Sequence, residues 1–348
     1  MKIDIFGLTL EELEITLIER SIPKFRAKQI YNWLYDKHVT EFTQMKNLGA
    51  DAVNKLQENF FISTQTIKPI KKLVSADGKT QKVLFEFDGG DTCEAVLMRH
   101  SYGNSVCVSS QIGCAMACKF CASGLHGFIR NLSTAEMLAQ VYFFAAQLAQ
   151  ADARISHIVI MGSGEPLLNY DNVLKFMRLA HDPKVLNISY RNITLSTSGI
   201  VPAIERLKEE DLPINLAISL HAANDKKRSE IMPINDKYNL KALLAATRSY
   251  ARSSKRQITY EYVLIKDFND SSEDANELSA LLKGHIASVN LIPVNTVREH
   301  GREQSERLRI NNFLECLQKN GTTATIRKEM GADIDAACGQ LRNKHLEK

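Results

Sequence analysis

Three cysteines fall within one short stretch, Cys114-x3-Cys118-x2-Cys121 in the run GCAMACKFC. Thiolates this close in sequence can wrap a single inorganic centre. Four cysteines would fill a four-iron cluster or a structural zinc site, whereas three leave one iron of a [4Fe-4S] cluster open to a further ligand. A zinc site with His126 as fourth ligand is the competing reading of the same stretch. A second segment, Met161-Gly162-Ser163-Gly164-Glu165-Pro166, joins glycines to a carboxylate. Glycines let a ligand approach the backbone, and a carboxylate accepts a bond from an ammonium group. Alone, Gly-Glu-Pro is the composition of a turn.

These residues need a frame to position them. Up to about residue 60 the apolar spacing is helical, with helices expected over Leu10–Arg20, Arg26–Asp36 and Asp51–Phe60. From about residue 67 the period changes to two, giving three expected strands, Ile67–Val74, Gln81–Phe87 and Thr92–Met98. Asp77-Gly78 and Asp88-Gly89-Gly90 sit between them as hairpin turns, so this stretch reads as a small β-meander. After Val106 strands and helices alternate. Strands are expected at Val106–Ser110, Ile155–Met161, Tyr190–Ser196, Ile214–Leu220, Thr259–Ile265 and Val289–Pro293, with a short one at Thr323–Arg327. The intervening helices are Thr134–Gln150, Tyr170–His181, Val201–Glu210, Leu240–Ser253, Glu273–Lys283 and Ser305–Lys319. The first opens on a Ser133/Glu136 capping box and the last stops at Asn320-Gly321. Six β-α units imply a parallel sheet, either open and doubly wound or a partial barrel, with the active site at the C-terminal ends of the strands.

Composition narrows the setting. The 348 residues include 44 Lys and Arg, 40 Asp and Glu and 44% apolar residues, an ordinary globular balance that excludes a disordered or fibrous chain. The longest apolar runs, such as Val141–Ala146, fall far short of the ~18 residues a membrane span needs. Acidic residues in MKIDIFGLTLEELE stand where a signal peptide would be apolar, so a cytoplasmic location is expected. The net charge of +4 is compatible with a nucleic-acid partner without specifying one. Seven cysteines are an odd count, which reads as metal or redox chemistry rather than a structural disulfide framework. Clusters at Lys68/Lys71/Lys72, Lys226/Lys227/Arg228, Arg248/Arg252/Lys255/Arg256 and Arg298/Arg302/Arg307/Arg309 read as solvated faces, some of which would contact phosphates.

The cysteine spacing, Phe120 before the last cysteine and the position just after a first strand resemble the radical-SAM superfamily. Longer segments are more specific. CVSSQIGCAMACKFCASGLHGFIRNL (107–132), MGSGEPLLNYDNV (161–173), ITLSTSG (193–199), LAISLHAAND (216–225), MPIN (232–235), NLIPVN (290–295) and DIDAACGQL (333–341) resemble the RlmN/Cfr family of radical-SAM RNA adenine methyltransferases. The resemblance implies an α/β fold, with a partial (β/α)6 barrel radical-SAM core over 100–345. Before it would come an N-terminal helical accessory domain over 1–62, taken as RNA-binding, and a β-meander extension over 63–99.

It also implies roles. Cys114, Cys118 and Cys121 would hold the [4Fe-4S] cluster. Gly164, Glu165, Ser196, Ser219, Leu220, His221 and Asn295 would bind S-adenosyl-L-methionine (SAM), two molecules per turnover. Cys338 would carry the methyl group as S-methylcysteine, and Cys107 would resolve a covalent protein–RNA intermediate through a disulfide bond. Glu94, on its own a carboxylate on an exposed strand, would be the proton acceptor. The chemistry explains the extra thiols: adenine C2 has no lone pair to attack a sulfonium methyl group, whereas a cysteine thiolate does. The implied substrates are an adenosine in large-subunit rRNA and the adenosine next to the anticodon in tRNA. A flavodoxin-type electron donor and a monomeric enzyme are also expected. Two other readings are a Cfr-like enzyme acting at C8 and a non-enzymatic, metal-stabilised RNA-binding protein. Pro166 resembles the RlmN branch, because Cfr sequences tend to carry alanine there.

Overall fold

The computed structural model describes residues 2–65 and 67–341, so the expected core boundary at 345 lies outside the described residues. Strand β1 (Ile3–Asp4) leads into α1 (Leu10–Glu19), α2 (Arg26–Tyr35) and α3 (Ala50–Asn59), and β2 (Phe60–Phe61) returns parallel to β1. Thr9 and Glu12 cap α1 reciprocally. In α2 the stripe Ala27, Ile30, Tyr31, Leu34 and Tyr35 is buried.

Antiparallel β3 (Lys68–Val74), β4 (Thr80–Glu86), β5 (Thr92–His100) and β6 (Gly103–Cys107) follow. A short antiparallel pair, β7 (Gln111–Gly113) and β8 (Phe128–Asn131), comes next. The chain then alternates: α4 (Thr134–Ala149), β9 (Ile155–Ile160), α5 (Tyr170–His181), β10 (Ile193–Thr197), α6 (Val201–Lys208) and β11 (Asn215–Ser219). Short α7 (Asp225–Ile231) and α8 (Ile234–Lys237) precede α9 (Leu240–Ser254) and β12 (Ile258–Leu264). The last elements are α10 (Ser272–Leu281), β13 (Ala287–Pro293), α11 (Arg307–Lys319) and β14 (Ala324–Ile326).

One ten-stranded sheet runs β14-β13-β12-β11-β10-β9-β6-β5-β4-β3. From β6 to β14 every neighbour is parallel, a linear series that forms a partial, unclosed β/α barrel. The meander strands continue the same sheet through the β5–β6 pairing. The N-terminal helices are fastened to the core at α4. A Cβ on Gly7 would lie 2.8 Å from the Ala135 amide nitrogen, the Gly7 amide donates to Tyr35 Oη at 2.9 Å, and Phe6 meets Tyr142 edge-on.

Two strands, β6 and β10, depart furthest from their expected bounds. β6 ends at Cys107 rather than Ser110, because Ser110 and Gln111 turn aside to take the Ser163 carbonyl through their amides. The stretch before β10 begins as a 3-10 turn over Tyr190–Asn192, capped by the Ser189 side chain.

Candidate active site

The cysteine loop is closed at its base by the β7–β8 pair. At Gly113 a Cβ would sit 1.9 Å from the Gly127 carbonyl oxygen, and φ is +70°, so only glycine fits. The Lys119 amide donates to Ile231 O (2.9 Å), which pins the loop to α7. Cys114, Cys118 and Cys121 line one cavity of about 130 Å³ with Gly164, Glu165, Ser196, Ser219, His221 and Asn295. Burial pushes all three thiols up, Cys114 to about 12, so holding them as thiolates calls for a cationic centre.

Glu165 is buried behind the cavity wall. Its Oε1 accepts from Thr197 Oγ1 (2.7 Å) and the Leu167 amide (3.0 Å), and its Oε2 from the Ser198 amide (2.7 Å). Burial raises its pKa, and these donors pull it back. Three bonds on a group with about four acceptor sites leave one for an ammonium group. Ser198 Oγ, in the same wall, is buried beside that carboxylate and helps to hold its pKa down. His221 (φ +59°) accepts from the Val263 amide through Nδ1 (3.0 Å). Burial lowers its pKa to about 3, so the ring is neutral with its proton on Nε2. Gly162 and Gly164 are demanded by protein packing rather than by an approaching ligand. A Cβ on Gly162 would strike Ser109 at 2.6 Å, and one on Gly164 would strike Gln111 at 2.6 Å.

Leu220 stands apart. Its side chain lies in the core, and its carbonyl is taken by Arg228 Nε at 3.1 Å. Arg228 also corrects the expectation of a solvated basic face. It is fully buried, and its NH2 group donates to Ser198 O (2.8 Å) and Ser219 O (3.1 Å) while NH1 meets Asn235 Oδ1 (2.8 Å). One guanidinium thus ties the ends of β10 and β11. Arg302 and Arg309 are likewise engaged, with Glu230 and with Asp267 and Asp270.

A second cavity of about 320 Å³ adjoins the first. Cys107, Met98, His100, Tyr102 and Arg327 are among the residues that line it. Cys338, Met161, Ile292, Asn295 and Leu341 line both cavities, so Cys338 stands on their shared wall. Its loop is held from the cysteine side. The Ala122 amide donates to Gly339 O (2.7 Å), Ser123 Oγ to Leu341 O (2.8 Å) and Asn295 Nδ2 to Cys338 O (2.9 Å). Burial raises the Cys338 pKa, and the Arg327 guanidinium beside it pulls it down. Burial pushes Cys107 up to about 12. All seven cysteines are free, so the expected disulfide is not present as a structural bond.

Glu94 lines neither cavity. It is not the exposed carboxylate of the sequence reading, because β5 is a central strand of the sheet. It is buried and paired with buried Lys82 (3.0 Å), whose Nζ also donates to Asp335 O (2.8 Å) in the Cys338 loop. Arg327 was missed by sequence reasoning. Its signal was available, since it directly follows β14 at the C-terminal end of a parallel strand, beside Glu261 (3.7 Å).

Among the described residues no three His, Cys, Asp or Glu side chains converge closely enough to hold one metal ion. The three thiols spread along a cavity wall that His126 does not reach, which fits a multi-iron cluster better than a single zinc. The buried Glu165 carboxylate in the same wall fits a polar, cationic ligand beside such a cluster.

Comparison with known proteins agrees. The Radical SAM superfamily matches residues 108–278, and the ribosomal RNA large subunit methyltransferase N-terminal domain matches residues 3–62. A protein of Clostridium novyi (strain NT) named as a dual-specificity RNA methyltransferase, RlmN, is 49% identical over 99% of this chain and 98% of its own. One from Clostridium botulinum (strain Okra / Type B1) with the same name is 48% identical over 99% of both chains. The crystal structure of a radical SAM methyltransferase from Sphaerobacter thermophilus superposes with a TM-score of 0.94 at 40% identity, covering 98% of this chain and 99% of that one.

Proposed function

The chain belongs to the RlmN family of radical-SAM RNA methyltransferases, and we propose that it methylates C2 of adenosine in large-subunit rRNA and in tRNA next to the anticodon. The observation that carries the reading is the place of Cys338, on the wall between a thiol-lined cavity and a larger cavity holding a second cysteine. In this proposal Cys114, Cys118 and Cys121 hold a [4Fe-4S] cluster. Glu165, Ser196, Ser219, His221 and Asn295 line the place of SAM, with Gly164 and the Leu220 backbone shaping it. When bound, the cluster and SAM supply hydrogen-atom abstraction from an unactivated methyl group.

The chain's own residues do the rest. Cys338 takes the methyl group of one SAM, with S-adenosylhomocysteine as the leaving group, and carries it as a thioether; a second SAM is consumed when the methyl carbon is joined to the base. Cys107 then attacks the Cys338 sulfur; the sulfur–carbon bond breaks with its electron pair on the carbon, which takes up a proton to become the methyl group of the base, and a Cys107–Cys338 disulfide is left. That bond belongs to turnover, which accords with free cysteines at rest. A flavodoxin-type donor supplies electrons to the cycle. Glu94 accepts the proton lost from the ring carbon once its pair with Lys82 opens. The enzyme works as a cytoplasmic monomer, with the N-terminal helical domain over 1–62 engaging RNA, the meander over 63–99 bordering the base cavity and the core over 100–345 doing the chemistry. A C8-directed reaction is not favoured, since the curated relatives carry the RlmN name.

The test is methyl-labelled SAM added to the cluster-loaded protein, followed by RNA and mass mapping of the product. Label on Cys338 before RNA, and 2-methyladenosine after it, are expected. Label appearing in RNA as 8-methyladenosine, or passing to RNA without Cys338, would overturn the reading.

A further inference from the structure

Resting on the RNA-methyltransferase reading, we propose that His100 and Tyr102 form a stacking platform for the nucleobase next to the target adenine. His100 ends β5, and Tyr102 is the second residue of the two-residue turn, Ser101–Tyr102, that leads into β6, where His100 pairs with Gly103. They lie parallel, with centroids 4.6 Å apart and planes inclined by 7°. Tyr102 remains 65% exposed, a large aromatic ring that no core covers.

The turn is fixed in place. A Cβ on Gly103 would lie 2.2 Å from Ser156 Oγ, so β9 is packed directly beneath it. Ser156 Oγ donates to Asn104 O (3.1 Å) and meets His157 Nδ1 (2.9 Å), and His157 stands edge-on to Tyr102 at 5.3 Å. With the turn fixed and half-buried His100 stacked on it, the exposed Tyr102 ring keeps little ordering entropy to lose on binding.

Its location decides the occupant. Both rings border the cavity that holds Cys107 and Cys338, and the target base has to enter there to reach Cys338. At about 320 Å³ this cavity is within the ~300–1,000 Å³ range of small-ligand clefts. It has room for the reacting base, while the exposed rim is left for the base beside it. Lys328 borders the same cavity and matches a phosphate backbone. Burial first, then the nearby His157, Lys328 and Arg327, keep the His100 pKa below its ordinary value, which favours a neutral ring for stacking. Single-stranded RNA is read by splaying bases onto such aromatic faces.

The test uses the cluster-loaded enzyme and an RNA hairpin with 2-aminopurine beside the target adenine. Binding to wild type should quench the fluorophore. Tyr102→Ala should bind roughly 5- to 150-fold more weakly and lose the quenching, the range set by one stacked base. Tyr102→Phe should keep both. Methyl loading of Cys338 in the absence of RNA should match wild type in both variants, which confirms folding. Wild-type affinity and quenching in Tyr102→Ala would overturn the platform alone. A wild-type enzyme that loads Cys338 but binds no RNA would bring down the functional reading and the platform with it.

Discussion

The two cavities that meet at Cys338 are built in different ways. The thiol-lined one is made by the barrel itself: residues at or just beyond the ends of β9, β10, β11, β12 and β13 converge on it. Its polar groups are mostly spoken for by neighbours, with Glu165 held by three donors. The larger cavity has only part of its wall from strand ends. The rest comes from the antiparallel strands β5 and β6 and from the segment 327–341 that follows β14. It carries cations, the stacked rings of half-buried His100 and exposed Tyr102, and a second thiol. The difference teaches that the parallel core supplies the machinery common to a superfamily, while additions at either end of the sheet supply the substrate side.

The sharpest way to break this division is to remove the residue that belongs to both sides. Cys338→Ala should abolish methyl loading of the protein and all RNA methylation, while iron and sulfide content stay at the wild-type level. Methyl-labelled SAM and cluster analysis on the same preparation check both. RNA methylation surviving in the variant would mean that the shared wall is not the transfer point.

Next is Cys107→Ala, which touches the larger cavity only. Loading of Cys338 and bond formation to the base should proceed, and the enzyme should then remain joined to RNA through a thioether that no other thiol cleaves. A denaturing gel with labelled RNA should show a shifted, nuclease-sensitive band, absent in the Cys107→Ala/Cys338→Ala double variant. An active Cys107→Ala enzyme without adduct would return Cys107 to a packing role at the end of β6.

Legibility followed the same division. The cysteine motif and Glu165 were readable because their chemistry needs particular residue types at particular spacings. The parallel strands were readable from their apolar runs. What the sequence hid depended on the third dimension. Arg228 sits between Lys226–Lys227 and an acidic residue, as a surface charge would, yet it is buried because three carbonyls at the ends of β10 and β11 point at it. Glu94 alternates like a surface residue on β5, but that strand is central and Lys82 from the adjacent β4 pairs with it across the sheet. The His100–Tyr102 ring pair was invisible as a pair, because only the turn geometry makes the two rings parallel.

Arg228→Met tests whether the thiol-lined cavity depends on this hidden tie. Removing a buried guanidinium leaves carbonyls without donors, at about 1–3 kcal/mol for each unsatisfied group. The loss of stability should be about 3 kcal/mol, read as a lower urea midpoint. SAM binding should weaken with it, because Ser198 and Ser219 lose their common anchor. A variant of unchanged stability would show that the strand ends hold their places without the arginine.

The smallest effect concerns which cavity Arg327 serves. Its guanidinium lies beside Cys338 and opposes the rise in pKa that burial imposes on that thiol. Only the thiolate displaces a methyl group, so loading should speed up as pH rises toward the thiol's pKa. In Arg327→Gln the cation is gone while Glu261, 3.7 Å from it in the parent, stays near. Both changes disfavour the thiolate, so the thiol's pKa should rise and the loading profile should move to higher pH. An opposite charge at close range shifts a pKa by about one unit or more, so loading at pH 8 should be roughly tenfold slower and recover at higher pH. Arg327→Lys should lie nearer wild type, since it keeps the charge. Initial rates of methyl transfer to Cys338, measured without RNA across pH, give the answer. A Gln variant with an unshifted loading profile and weaker RNA binding would place Arg327 wholly on the substrate side, as a phosphate contact rather than a partner of the nucleophile.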